Sequence, residues 1–148
     1  METARHIRIL QLTYAAQLAD AVHQLARAGV LEQVTSERRA TRRAAGAAQA
    51  AQLGITAPAE AFTTSAELFG CADWTVTGDG DQALVASARH CLLCGMAKKA
   101  GAPSPCSLYC LDPIEAMVEG VAPGAGFEVD ETLFDGERCR VRVSPPRR

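Results

Sequence analysis

Aromatic side chains are scarce in this chain: one Trp, two Tyr and four Phe among 148 residues, 5% of the total. A core built mainly on bulky rings is thereby disfavoured. Alanine carries much of the 48% apolar content, which favours closely approaching helices. Charge of one sign is lacking too. Fifteen Lys and Arg face seventeen Asp and Glu, a formal net charge of -2, so no global field draws nucleic acid or an anionic membrane. No run of 18 apolar residues occurs, and none of signal-peptide length follows Met1, so a cytoplasmic protein with no membrane partner is expected. G-x-G-x-x-G, Walker, G-x-S-x-G and H-E-x-x-H patterns are all missing, which removes the commonest nucleotide, hydrolase-elbow and zincin readings.

Cysteine, by contrast, is plentiful, with six residues. At this length a domain buries roughly two-thirds of its unfolded surface and does not need disulfides to fold. Without an export signal the thiols are expected to be reduced, pointing to metal binding, thiol chemistry or burial. Four of them fall in "CLLCGMAKKAGAPSPCSLYC", spaced C-x2-C-x11-C-x3-C, with His90 just before Cys91. Cys91 and Cys94 have the chelating spacing of one turn, and Cys106 and Cys110 share a face if their segment is helical. Cys91, Cys94, Cys106 and Cys110 are therefore a candidate ligand set for zinc, another divalent metal or an iron–sulfur cluster, with Cys139 and His90 as further ligands. The second pair is C-x3-C within helical apolar surroundings, which departs from a closed zinc knuckle. An open site with three protein ligands is as readily built, and so is a thiol site without metal. Set against these, free cysteine packs as a small hydrophobe, and Leu92, Leu93, Leu108 and Leu111 flank the four.

The periodicity predicts an α+β domain over residues 1–148. Ile7, Leu10, Tyr14, Leu18, Val22 and Leu25 form one helical face ending at Gly29, and a second helix, capped by Thr35 or Ser36, runs to Leu53 and Gly54. Together they make a helical hairpin over residues 1–55. Residues 57–68, with Pro58, read as a connection containing one or two short helical turns. A ββααββ core follows over residues 70–143: a hairpin from "DWTVTG" and "QALVASARH" turning at "DGD", helices over 91–100 and 107–121, and a closing hairpin from "FEVDETLF" and "RCRVRV". The two hairpins make an antiparallel sheet of about four strands, and the tail, 144–148, is expected to fray.

Further candidates carry two readings each. His90 beside Cys91 either depresses a thiol pKa or points to the opposite face. Asp112 caps the following helix or serves as a general base near the cysteines. Lys98 and Lys99 are solvated or hold a substrate carboxylate. Arg38, Arg39, Arg42 and Arg43 form a basic helix face; with no interleaved aromatics a nucleic-acid partner is disfavoured. His23 reads as a boundary residue, and "GDGD" as a turn, since the rest of a calcium loop is absent.

The chain from about Ile7 to Val143 resembles the L-2-amino-thiazoline-4-carboxylic acid hydrolase-like family, on "CLLCGMAKKAGAPSPC", "LYCLDPIEAMV" and "FEVDETLFDGERCRVRV". It is also reminiscent of 4-vinyl reductase type small-molecule-binding domains. The positions that carry over are Cys91, Lys98 or Lys99, Gly101, Cys106, Asp112, Gly136 and Cys139. The resemblance implies a cytoplasmic α+β protein with a cysteine-containing pocket, whose activity adds water to the amidine-like carbon of a thiazoline. A catalytic set of Cys106, His90 and Asp112, with Lys98 or Lys99 orienting a carboxylate, is then expected. Water activated by a metal is the other route, and a non-catalytic metal or small-ligand sensor the alternative. The partner is a small molecule, and a homo-oligomer stays open.

Overall fold

The computed structural model describes residues 2–78 and 83–147. Its elements are α1 (Thr3–Arg27), α2 (Leu31–Gln52), α3 (Pro58–Phe69), β1 (Thr75–Thr77), β2 (Leu84–Ala88), α4 (Leu92–Lys99), a π-helical turn (Ser107–Leu111) that runs into α5 (Asp112–Val121), β3 (Gly126–Glu131) and β4 (Cys139–Ser144). The four strands form one antiparallel sheet in the order β1-β2-β4-β3. The fold is α+β, with helices preceding the sheet as the periodicity predicts. The expected "DGD" turn, residues 79–81, lies outside the described residues.

Side-chain alternation decides which face of the sheet meets the helices. Cys139, Val141 and Val143 are buried on β4, opposite Ala88, Ala86 and Leu84 of β2, and they face Phe62 and the apolar side of α5. Arg140 and Arg142 point the other way, where both bond Asp130 on β3. Phe62 sits fully buried between Trp74 and Phe127, with ring centroids 5.2 and 6.1 Å away. Three of the seven aromatic residues thus anchor the sheet.

The helices depart from expectation in three ways. Residues 58–69 form a full helix of twelve residues, not a connection. Pro58 occupies its first turn, where a missing N–H costs nothing, and Gly70 ends it at φ 64°. Second, α2 begins at Leu31, directly after Gly29 (φ 74°) ends α1, and the Thr35 hydroxyl bonds back to the Leu31 carbonyl at 2.7 Å instead of capping. Third, the apolar stripe of α1 is buried only in its second half. Ala19 and Val22 pack with Leu93, Ala97 and Ala102 around α4, with Leu18 partly buried against them, while Ile7 and Leu10 are exposed.

Contacts between α1 and α2 are few; α2 lies along α5 and α1 along α4. Gly46 and Gly120 make the first of these pairings possible, because a Cβ on Gly120 would lie 2.5 Å from the Ala47 nitrogen. Among the described residues no helix is long and apolar enough to cross a membrane.

Candidate active site

Local structure brings three sulfurs into line. A bridge between Ala72 and Cys91, with the Leu92 N–H donating to the Cys71 carbonyl at 2.8 Å, fixes the entry to α4. Cys91 is the extended residue ahead of that helix, and its Sγ accepts the Cys94 N–H at 3.4 Å. Cys106 approaches from the other side. Its N–H donates to Ser104 Oγ at 3.1 Å, Pro105 follows Ser104, and Tyr109 N bonds the Pro105 carbonyl, so Ser104 caps the helical run in which Cys106 begins. The Sγ atoms of Cys94 and Cys106 stand 3.5 Å apart.

One proton and two sulfur acceptors meet at Cys94. It keeps its proton, its pKa driven up by hydrogen bonding to Cys106 and Cys91 and then by burial. Donation from Cys94 pulls Cys106 down from 9.0 to about 6, helped by Ser104 and Thr132 against the cost of burial. Cys91 is lowered as well, through the Cys94 side chain and the N–H groups at the start of α4. The other thiols move the opposite way. Burial raises Cys71 and Cys139 to about 11 and lifts Cys110 well above 9.0. All six cysteines are free. Among the described residues no three His, Cys, Asp or Glu side chains are grouped to hold a metal ion.

Two hollows meet at this line of sulfurs. An inner cavity of about 320 Å³ is lined by Tyr14 and Leu18 of α1, Arg38 and Arg42 of α2, Phe69 of α3, Trp74, and Tyr109 and Cys110 of the π-helical turn. An open cleft of about 750 Å³ carries Arg8, Arg89, His90, Lys98 and Lys99 along its walls, with Cys94 also lining it. Cys71, Ala72 and Cys91 line both.

The π-helical turn follows from Pro113. Asp112 N bonds Ser107 O, five residues back, and the next residue has no N–H to offer Leu108. The orphaned Leu108 carbonyl accepts instead from Arg42 Nη1, and the same guanidinium lies over the Tyr109 ring, 5.9 Å from its centroid. Burial, and next the like charge of Arg38, disfavour the charge on Arg42; burial also raises the Tyr14 phenol.

A family model described as L-2-amino-thiazoline-4-carboxylic acid hydrolase matches residues 4–143. The chain belongs to that family. No curated protein and no solved structure matches it.

The positions singled out in the sequence, from cysteine spacing and from the thiazoline-hydrolase resemblance, are distributed unevenly. Cys91, Cys94 and Cys106 come together; Cys110 lines the inner cavity, and Cys139 is buried beneath β4, its Sγ accepting the Leu133 N–H at 3.3 Å. Cys106 is buried and is not among the residues lining either hollow. His90 is exposed in the open cleft, where its N–H and that of Arg89 both donate to Asp73 Oδ1 at 2.9 Å. Lys98 donates to the Leu133 carbonyl at 2.7 Å and lies over Phe134, fastening α4 to the β3–β4 connection, while Lys99 lines the cleft. Asp112 is no cap: it sits inside a continuous helical run, 7% exposed, 3.1 Å from Arg39 Nε. Arg42, which the sequence offers only as part of a basic helix face, lines the inner cavity together with Tyr14, Trp74 and Tyr109, which no motif marks as site residues. Pro113, five residues after Leu108, is the sequence signal that could have exposed the Arg42 contact.

Proposed function

We propose that the protein is a thiol-dependent hydrolase of a small cyclic amidine of the thiazoline kind, with Cys91 as nucleophile and the inner cavity as the substrate compartment. One observation carries the assignment of the nucleophile. Of the three thiols on the cavity wall, Cys71 and Cys110 are raised and only Cys91 is lowered. A lowered pKa raises the share of thiolate relative to an ordinary cysteine, and thiolate is the reactive form. Cys106, favoured by the sequence pattern, belongs in this reading to the far end of a relay. Cys94 holds the proton between the two sulfurs and can lean toward either.

The chemistry then balances as follows. The Cys91 thiolate adds to the ring carbon between nitrogen and sulfur, and the ring nitrogen takes a proton. Collapse breaks the ring carbon–sulfur bond, and the departing sulfur leaves as a thiol after taking a second proton. Water adds to the carbon of the remaining S-linked isothiourea and expels the Cys91 thiolate, leaving a urea carbonyl on the opened product. Family membership supports the reaction class, and the desolvated, lowered Cys91 supports the covalent route.

Turnover of 2-aminothiazoline-4-carboxylate by the wild type and by Cys91→Ser, Cys94→Ser and Cys106→Ser tests the proposal. Cys91→Ser is expected to lose at least about a hundredfold in kcat, as removal of a nucleophile does. Cys94→Ser and Cys106→Ser retain turnover but shift its acid limb, since each alters the hydrogen bond that acidifies Cys91. Full turnover in Cys91→Ser refutes the assignment. Dialysis against a chelator leaves turnover unchanged under this mechanism, and a loss restored by zinc would favour metal-activated water.

A further inference from the structure

Helix α2 sorts its four arginines onto two sides. Arg39 is committed to Asp112, and Arg43 lies beside Glu115, whose carboxyl burial raises and the Arg43 charge partly offsets. Arg38 and Arg42 fall on the stripe Arg38, Thr41, Arg42, Ala45, Gln49, with the three-and-four spacing of one helical face, and all five line the inner cavity. That lining contains these two guanidinium groups and no carboxylate. Among the described residues the only acceptor for the Arg42 side chain is the Leu108 carbonyl, and neither Arg38 nor Arg42 enters an ion pair. A guanidinium carries five N–H donors in a planar fork that matches a carboxylate. The Tyr109 ring beneath Arg42 holds the fork in orientation. Leu18, Phe69, Trp74 and Met117 contribute apolar lining to the same cavity. At about 320 Å³ the space is near the lower limit for ligand sites, so a small ring fits and a nucleotide or peptide does not.

We infer that Arg42, supported by Arg38, is the carboxylate anchor of the inner cavity, which therefore selects small monocarboxylates and rejects their uncharged counterparts. The placement of the anchor follows from the cavity itself; the identity of the ring it holds rests on the reaction proposed above.

Trp74 is the single tryptophan of the chain and lines the cavity, so its fluorescence reports occupancy. The probe is thiazolidine-4-carboxylate, whose saturated ring has no amidine to hydrolyse, compared with thiazolidine-4-carboxamide. Saturable binding of the carboxylate by the wild type is expected, with the carboxamide at least about tenfold weaker. Arg42→Met should weaken carboxylate binding roughly 10- to 100-fold while leaving the carboxamide unchanged, and Arg42→Lys should recover part of the loss. Arg38→Met should give a smaller loss. Equal binding of carboxylate and carboxamide by the wild type overturns the inference without recourse to any variant. So does an absence of saturable carboxylate binding, or undiminished binding by a folded Arg42→Met. Turnover plays no part in this titration. Arg42-dependent binding alongside absent thiazoline hydrolysis would sink the reaction and leave the anchor standing.

Discussion

Adding one methyl group to Gly46 should drive α2 away from α5. A Cβ built on Gly46 lies 2.6 Å from the Ala116 carbonyl carbon and 3.2 Å from the Ala116 Cβ. Unstrained carbon contacts lie near about 3.5 Å or beyond, so the two backbones must part by about 1 Å. Overpacking of this kind costs about 1–3 kcal/mol, toward the upper end here because the obstacle is backbone, and Gly→Ala in a helix returns up to about 1 kcal/mol. The net cost of about 2 kcal/mol corresponds, at this chain length, to a fall in Tm of about 4–8 °C. Gly95 is the internal control: it is also helical, a Cβ there meets nothing within 4 Å, and Gly95→Ala should stabilise by about 0.5–1 kcal/mol. Because α2 carries Arg38 and Arg42, Gly46→Ala should weaken carboxylate binding as well, whereas Gly95→Ala should not. Thermal melts and Trp74 titrations of both variants decide the matter. A Gly46→Ala protein as stable as Gly95→Ala would refute the close-packing argument.

Three further outcomes follow from the same geometry. Cys106 has a folded pKa of about 6 against an ordinary 9.0, so its contribution to stability is complete above pH 9 and is lost as pH falls toward 6; Tm should climb across that window, and Cys106→Ser should flatten the climb. Above pH 9 the raised Cys71 and Cys139, near 11, keep protons that the unfolded chain releases, so Tm should turn down again; a featureless profile under reducing conditions would count against both assignments. Asp112→Asn removes the charge partner of Arg39 and should cost about 1–3 kcal/mol in urea unfolding, while a hundredfold drop in kcat in the folded variant would instead restore Asp112 as a proton carrier. With sulfurs 3.5 Å apart, Cys94 and Cys106 should be joined reversibly by diamide, and because Cys94 then no longer donates to Cys91, turnover should fall with the same dithiothreitol dependence; peptide maps without the cross-link, or full activity with it, would contradict this.

Much of the architecture was legible because it is written in local patterns. Alternation in "RCRVRV" identified β4, and glycines marked the ends of α1, α2 and α4. The start of α2 was misjudged because Thr35 looks like a cap in sequence, although its hydroxyl is satisfied within the helix. Helix α3 was missed because Pro58 reads equally as a loop residue and as a first-turn residue; burial of Ala61, Phe62 and Ser65 against the sheet decided between them. The cysteine grouping was only half visible. C-x2-C spacing joined Cys91 to Cys94, but Cys110 turns to the inner cavity while Cys106 meets Cys94, a division made by the π-helical turn and the Ser104 cap.

By itself the sequence determined most of the element types, the antiparallel sheet, the family, and the presence of a thiol-rich segment with an arginine-rich helix nearby. Local propensity and periodicity act over a few residues, and those properties need nothing more. Tertiary structure alone decided the surroundings of each thiol, and which arginines of α2 meet a carboxylate. A thiol pKa depends on burial and on donors from other segments, and the charge of Arg42 is exposed to the cavity or neutralised according to what α5 brings against α2. Both are contacts between residues far apart in the chain, with Arg42 meeting Leu108 and Cys94 meeting Cys106.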